Sequence, residues 1–543
     1  MAATIAAPRR TDWRARTAGV RSRWSELPTW GQAGIVLALL LLISGYIRTR
    51  FIGGQFWMDE ALSVGIASHN LAAIPGVLRH DGSPPLFYVL LHGWMTLFGP
   101  SESATHAMSL LFALLTVPIG MWAGWSLFGR RAGYMTAILF AFSAFLTQYS
   151  QETRMYALMG LLGLLATAGF LHAFLYRRRG FLILFAVAQA AMLYTHAWGI
   201  FFGAGSVLAL IPIWRASPDR RGIVRDALMA YVGAGILFAP WLPTFIYQAQ
   251  HTAAPWDSSP RFGAPVQLSR DLLGGDRVAV ALLIAAVIGF IALVRSERGA
   301  AAELATPAAS RPRSPEITAL WVLIALPVAT LALAWIASQI TPAWVSRYFA
   351  PTLGPIILLA AFGCSRAGVV GIVAIAASIV FLANPASFTP EFKSDVRGIG
   401  GEMTPLVHPH DLVIVAQPEQ VPLAWYYLPP GLQYANTIGR VGDPRYMNWV
   451  DALNHLTDTN WSATAQSLIA SLRPGQQVLF VRPLTEGAQS WQAPWTQMVR
   501  RRAAQWGSIL SSDPSLKAVA VAPHNYRGAC CVADSAVLYQ KVS

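Results

Sequence analysis

The chain has 543 residues, of which 55% are hydrophobic and only 12% charged, and its mean hydropathy is +0.45. A soluble domain carries about 25% charged residues, so this composition rules out disorder, argues against an ordinary soluble enzyme and requires lipid as solvent for much of the surface. The net charge of +14 comes from 37 Arg and 3 Lys against 26 acidic residues, but the arginines fall in short clusters between apolar runs, which fits membrane topology rather than nucleic acid.

Residues 1–30 are polar and basic, with Arg9, Arg10, Arg14, Arg16, Arg21 and Arg23. Apolar run length then predicts eleven spans, at about 31–47, 105–128, 133–148, 155–176, 180–195, 199–214, 227–247, 278–294, 317–338, 349–365 and 368–384. No small-residue cleavage site follows the first, which is read as a retained helix. Twenty arginines fall on the N-terminal side of these spans, in clusters such as Arg130–Arg131, Arg177–Arg179 and Arg215–Arg225. Eight fall on the other side: Arg48, Arg50, Arg79, Arg154, Arg261, Arg270, Arg277 and Arg347. The positive-inside rule makes the N-terminus cytoplasmic, and an odd number of spans leaves the C-terminus outside.

Residues 385–543 read as a small extracytoplasmic α/β domain. Strands are predicted at 411–416, 477–481, 517–522 and 535–540, with helical stretches such as 496–509 between them. The chain thus divides into a basic tail (1–30), an α-helical polytopic membrane domain (31–384) and this C-terminal domain (385–543). Three cysteines make no disulfide framework. Cys364 reads as a core residue; Cys530 and Cys531 are adjacent, where a disulfide would be strained and is not favoured.

The first outer loop, 48–104, is long for a membrane connection, and long loops are often functional. Helices at 61–78 and 86–98 are expected to lie in the interface plane, with Trp94 as an anchor. Asp59 and Glu60 follow the aromatic pair Phe56–Trp57. An acidic pair here serves as the N-cap and first-turn charge of a helix; its place at the membrane surface puts the functional reading ahead. Asp81 to Tyr88 follows as Asp-Gly-Ser-Pro-Pro-Leu-Phe-Tyr. Further polar groups abut apolar runs: Gln151, Glu152 and Arg154 before Tyr156, His196 between two spans, and Arg347–Tyr348 at the start of the tenth. Ionisable groups at membrane depth are functional candidates by default. For Arg154 and Arg347 snorkelling to the interface is an equal alternative, and His196 reads more readily as a packing histidine.

Taken in order, several segments resemble one known family. They are Asp59-Glu60, then Pro84-Pro85-Leu86-Phe87-Tyr88, then Ser150-Gln151-Glu152-Thr153-Arg154-Met155-Tyr156-Ala157-Leu158. Ala239 to Pro243, Arg347-Tyr348 and Lys393 to Gly398 complete the set. The order is similar to that of the GT-C superfamily of integral-membrane glycosyltransferases, in its protein mannosyltransferase and aminoarabinose transferase branch, over nearly the whole chain. The resemblance implies a GT-C-like fold and an inverting transfer of a sugar, of mannose or arabinose type, from a polyprenyl-phosphate-linked donor. The acceptor would be an envelope glycan, glycolipid or protein on the outer face of the cell membrane. It implies Asp59 as general base with Glu60 in support, and Arg154 and Arg347 as ligands of the leaving phosphate. Trp57, Asp81, Tyr88, Gln151, Glu152, Tyr156, His196 and Tyr348 would line the pocket. No cofactor is assigned. A divalent ion stays open, with Glu60, His80, Asp81 and His196 as conceivable ligands whose spacing matches no fixed motif. The lipid bilayer is a partner and nucleic acid is not. The competing readings are a secondary transporter or lipid flippase, against which stands the lack of paired repeats, and a structural scaffold.

Overall fold

A computed structural model describes residues 26–252, 256–303, 314–383, 393–485, 492–523 and 533–542. The basic tail to residue 25, Arg311, Arg313, Cys530 and Cys531 lie outside those residues.

Helices fall on each of the eleven predicted apolar runs, but not all of them are membrane-spanning in length. The first is α1 (Thr29–Thr49). The outer loop contributes α2 (Met58–Ala67), α3 (Ile74–Asp81) and α4 (Leu86–Phe98). Then follow α5 (Glu102–Phe128), α6 (Arg130–Ala141), α7 (Ala144–Tyr149), α8 (Tyr156–Phe170), α9 (Phe181–Thr195), α10 (Gly199–Ala216), α11 (Arg220–Phe238) and α12 (Leu242–His251). After α13 (Ala264–Leu273) come α14 (Asp276–Glu303), α15 (Pro315–Ile340), α16 (Leu353–Arg366) and α17 (Gly368–Leu382). Among the described residues eight helical segments are long and apolar enough to cross a bilayer, and α4, α9 and α17 are shorter apolar helices. The protein is a multi-pass membrane protein.

The structure corrects several boundaries. The predicted span 133–148 breaks at Phe142–Ser143, because Ser143 caps α7 by accepting from the Leu146 N–H at 3.3 Å. The predicted interface helix 61–78 is two helices, α2 and α3. Nor does α2 lie on a surface, since every residue from Glu60 to Ala67 is buried. Leu62 and Ile66 join the membrane core, while Phe56, Ala61 and Val64 join the core of the C-terminal domain. Trp94 is half-buried, its indole donating to the Ala104 carbonyl at 2.7 Å. Arg48, expected in an outer loop, is fully buried in the last turn of α1. It donates to the carbonyls of Phe140 at 2.7 Å and Ala113 at 3.2 Å, and Phe140 lies in the last turn of α6, whose final carbonyls have no helical partner.

At one end of the bundle the clustered arginines meet their few carboxylates. Arg177 pairs with Asp219 and Asp226, Arg179 and Arg225 with Asp226, and Arg366 with Glu316. The outer-loop helices and the C-terminal domain lie at the other end. The centre of the bundle is α8, packed against the turn Ser346–Thr352 and α16. Gly163 permits that approach, because a Cβ there would sit 2.2 Å from the Pro351 carbonyl oxygen.

The C-terminal domain holds α18 (Val396–Met403), β1 (Leu412–Val415), α19 (Val421–Tyr427), β2 (Gln433–Asn436), β3 (Gly439–Val441), α20 (Ala452–Asp458), α21 (Trp461–Ala470), β4 (Gln477–Pro483), α22 (Pro494–Ser512), β5 (Leu516–Ala522) and β6 (Asp534–Lys541). The six strands form one mixed sheet, ordered β3-β2-β1-β4-β6-β5, with β2, β1 and β4 parallel. The short strands β2 and β3 escape sequence reading, being four and three residues long with no apolar run. Alternation sends Val413, Val415, Leu479 and Val481 toward α18, α19 and the outer loop, and Leu412, Ile414, Val478 and Phe480 toward α21 and α22. Both faces of the sheet are thus covered, and one of the covers is α2, the helix that begins at Asp59.

Candidate active site

Asp59 is in the first turn of α2, held between two arginines from distant parts of the chain. Arg347 Nη2 donates to Asp59 Oδ2 at 3.3 Å, and Arg154 Nη2 lies 3.9 Å from the same oxygen. Arg154 Nη1 also donates to the Asp59 carbonyl at 3.2 Å and to Ser63 Oγ at 3.0 Å, so its position is fixed by backbone as well as charge. Arg347 Nε donates to Tyr156 Oη at 2.9 Å. Its guanidinium stacks over Trp57 at 5.2 Å and near Tyr348 at 5.7 Å. Neither arginine snorkels away from the bundle. The Asp59 side chain keeps 22% of its surface open, so its ion pairs are reachable from outside rather than sealed.

The walls are aromatic. Tyr348 packs against His196 at 4.5 Å and Trp198 at 5.3 Å, and Tyr156 lies 6.5 Å from His196. Burial, with Arg154 and Arg347 adding to it, lowers His196 to about 3, so this histidine is neutral. Its Nδ1 accepts from the Trp198 N–H at 3.2 Å. Asp81 and Tyr88 border Arg154. Burial pushes Asp81 up to about 6, partly offset by Ser83 and Arg154. Several polar atoms at this site are buried without a hydrogen-bond partner among the described residues: Trp57 Nε1, Asp81 Oδ1, Tyr88 Oη, Glu152 Oε2 and Arg154 Nε. Unpaired buried polar atoms are costly and mark places where a ligand or water completes the network.

Glu60 points the other way. It is fully buried and its two oxygens receive four donors: His106 Nε2 at 2.6 Å, the Thr153 N–H at 2.8 Å, Lys393 Nζ at 2.8 Å and the Trp57 N–H at 3.3 Å. Burial raises its carboxyl, but Lys393 and His106 outweigh that and hold it at about 2. Lys393 also donates to the Gln151 carbonyl at 3.0 Å, and Gln151 Oε1 accepts from the Phe51 N–H at 3.1 Å. Gln151 is therefore part of the scaffold behind Asp59. Glu152 is within electrostatic reach of both clusters, of Lys393 and Glu60 as well as of Arg347 and Asp59, and burial raises it to about 7.

Sequence reading missed His106 and Ser63, and it gave Lys393 and Thr153, though both lie in the segments that carry the resemblance, no role at the site. A signal for Lys393 was present: it is one of only three lysines in a chain that otherwise uses arginine. The C-terminal domain reaches the site too. Gln417 Nε2 lies 3.6 Å from Met58 Sδ and donates to Glu419 at 2.8 Å, and Glu419 faces Asp59 electrostatically.

The candidate metal ligands do not converge. Glu60 is saturated by protein donors, and His80 Nδ1 is bonded to the Gly76 carbonyl at 3.0 Å. Among the described residues, no group of three or more His, Cys, Asp or Glu is placed to hold a cation. The four residues named as conceivable ligands thus form no ligand set among the described residues, and no step is assigned to a metal.

No family model matches the chain, and no curated protein matches it. Solved structures do. ArnT from Cupriavidus metallidurans bound to undecaprenyl phosphate superimposes with a TM-score of 0.56 at 15% identity, covering 94% of this chain and 98% of that one. The apo form of the same protein aligns with a TM-score of 0.45 at 14% identity over the same shares, 94% and 98%. The archaeal oligosaccharyltransferase AglB from Archaeoglobus fulgidus, in complex with an inhibitory peptide and a dolichol-phosphate, aligns with a TM-score of 0.46 at 12% identity, over 83% of this chain and 69% of that one. The chain has the GT-C-like fold of ArnT.

Proposed function

We propose that the protein transfers a sugar from a polyprenyl-phosphate-linked donor to an acceptor on the outer face of the membrane, with inversion at the anomeric carbon. The observation that carries this reading is the convergence of two arginines on one open carboxylate, Asp59. Two guanidinia facing the Asp59 carboxylate leave a positive surplus at that oxygen; burial raises Glu152 to about 7, so it is only about half ionised near neutral pH, while Asp81, raised to about 6, is mostly ionised there. That surplus suits a phosphate, which a guanidinium can grip with two parallel hydrogen bonds.

The chemistry follows from the same atoms. An acceptor group attacks the anomeric carbon, its proton passes to Asp59, and the C–O bond to the phosphate breaks. Arg154 and Arg347 stabilise the anion that leaves. When the donor phosphate draws the arginines to itself, Asp59 is released from them to take the proton. The aromatic walls of Trp57, Tyr156 and Tyr348 suit a sugar face, and the orphaned atoms of Asp81, Tyr88 and Glu152 suit its hydroxyls. A polyprenyl tail would lie in lipid beside the bundle.

The direction of the site follows from the arginine bias. With the basic end cytoplasmic, Asp59 and the C-terminal domain face outward, where a donor must arrive through the lipid because nucleotide sugars stay inside. Solubilised protein incubated with synthetic polyprenyl-phosphate-mannose and polyprenyl-phosphate-arabinose is expected to release polyprenyl phosphate when envelope glycolipids are supplied. A reporter fused after Ser543 is expected to be active only outside the cytoplasm. No turnover with any lipid-linked sugar, or a cytoplasmic reporter, overturns the reading.

A further inference from the structure

At the opposite end from Asp59, a groove of about 370 Å³ opens between α10 and α11. It is lined by Val207, Leu210, Ile211, Trp214, Leu228 and Tyr231, among others, and is almost wholly apolar. α10 starts beside the Trp198–Tyr348 contact of the candidate site and ends at Ala216, so at about 1.5 Å rise per residue the groove lies well down the helix, toward the basic end. The only hydroxyl on its wall is Tyr231 Oη, which is engaged with Ser206 Oγ at 2.7 Å. The groove therefore offers an occupant apolar surface and no polar handle along its length.

The helix ends beyond the groove are different. Arg215 closes α10, and Arg220 and Arg221 open α11; all three are exposed, and none has a carboxylate partner among the described residues. The neighbouring Asp219 and Asp226 are already engaged by Arg177, Arg179 and Arg225. Arg220 stacks over the Trp214 ring at 4.7 Å, which holds one guanidinium at the rim. An apolar slot whose Trp214 wall carries Arg220, with Arg215 and Arg221 on the same two helix ends, matches an amphiphile with a hydrocarbon body and an anionic head. Basic pockets between membrane helices recognise lipid head groups in this way.

We infer that the groove between α10 and α11 is a specific site for an anionic glycerophospholipid, its acyl chain along Val207–Trp214 and its phosphate on Arg215, Arg220 and Arg221. The site is separate from Asp59 and independent of the reaction proposed there. The phosphate would bridge the ends of the two helices across the Ser217–Asp219 turn and fix them relative to each other.

The test is native mass spectrometry of the full chain in mild detergent, titrated with dioleoyl phosphatidylglycerol, dioleoyl phosphatidylcholine or undecaprenyl phosphate. The wild type is expected to retain one phosphatidylglycerol at a concentration at least tenfold below that needed for phosphatidylcholine. The triple variant Arg215→Gln, Arg220→Gln, Arg221→Gln should lose that preference while unfolding at the wild-type temperature. Leu228→Trp, which fills the groove and leaves the arginines in place, should weaken phosphatidylglycerol retention by a similar factor. Equal retention of the two glycerophospholipids, or unchanged preference in either variant, overturns the site. Displacement of phosphatidylglycerol by equimolar undecaprenyl phosphate, abolished by the same variants, overturns the assignment to a glycerophospholipid.

Discussion

Lys393, the first described residue of the segment that leads into the C-terminal domain, donates to Glu60 at 2.8 Å, one residue from Asp59. The link is not alone. Ser394 Oγ donates to the Phe56 carbonyl at 3.0 Å, Gln55 reaches the Ser394 carbonyl, and Tyr427 Oη accepts from the Phe56 N–H at 2.8 Å. The loop that carries Asp59 is thus clamped between the bundle and the sheet domain. The C-terminal domain covers one side of the loop that carries Asp59.

Asp59→Asn is expected to reduce transfer by roughly 10²–10⁴-fold while leaving the fold intact. Asparagine keeps the size and the capping ability of aspartate but takes no proton. Turnover of the lipid-linked donor, measured beside thermal unfolding of the same preparation, checks it. Full activity in the variant moves the base elsewhere.

Arg154→Lys and Arg347→Lys should both weaken donor binding, because the planar fork is lost. The two should differ. Arg154 also holds Ser63 and the Asp59 carbonyl, so its loss should lower kcat as well, whereas Arg347→Lys should act mainly on donor KM. Steady-state kinetics on each variant separates these outcomes.

Glu60→Ala should destabilise the protein by about 3–5 kcal/mol, since it leaves Lys393 and His106 buried without their carboxylate. The folded carboxyl is held at about 2 against an unfolded value of 4.5. Its contribution is therefore complete above about pH 4.5 and is lost as the pH falls toward 2. Acid unfolding of the wild type should show this loss, and Glu60→Gln should show less of it.

Glu152 gives a pH dependence of the opposite kind. Its carboxyl is raised to about 7, so below that pH it is neutral and above it a carboxylate faces Arg347. Affinity for an anionic donor should fall as the pH rises through 7. Glu152→Gln should flatten that dependence, as followed by binding of the donor at pH 6 and pH 8.

Gly65→Ala should loosen the C-terminal domain. A Cβ at residue 65 would lie 2.0 Å from the Arg445 carbonyl oxygen, so α2 or the 443–449 segment must move. A loss of at least about 2 kcal/mol is expected, with faster protease cleavage between the two domains than in the wild type.

Composition and run length were enough to specify a helical polytopic membrane protein followed by a small C-terminal sheet domain, though only eight of the helical segments among the described residues are long and apolar enough to cross a bilayer. Those features depend on local hydropathy and on a period-2 pattern, both of which are written along the chain. The burial of Arg48 and of α2 was not legible, because each is decided by partners far away in sequence, whereas the break at Ser143 is a local cap hidden inside a continuous apolar run. Phe140 and Ala113 satisfy Arg48, and the sheet domain covers the second face of α2. Asp59, Arg154 and Arg347 stood out as ionisable groups beside apolar runs, yet nothing local says that residues 95 and 288 positions apart share one carboxylate. The two carboxylates of Asp59–Glu60 looked alike in the sequence. Tertiary structure separates them: α2 turns one toward the arginines and the open pocket, and the other into a buried cage of four donors, because consecutive residues of a helix face about 100° apart.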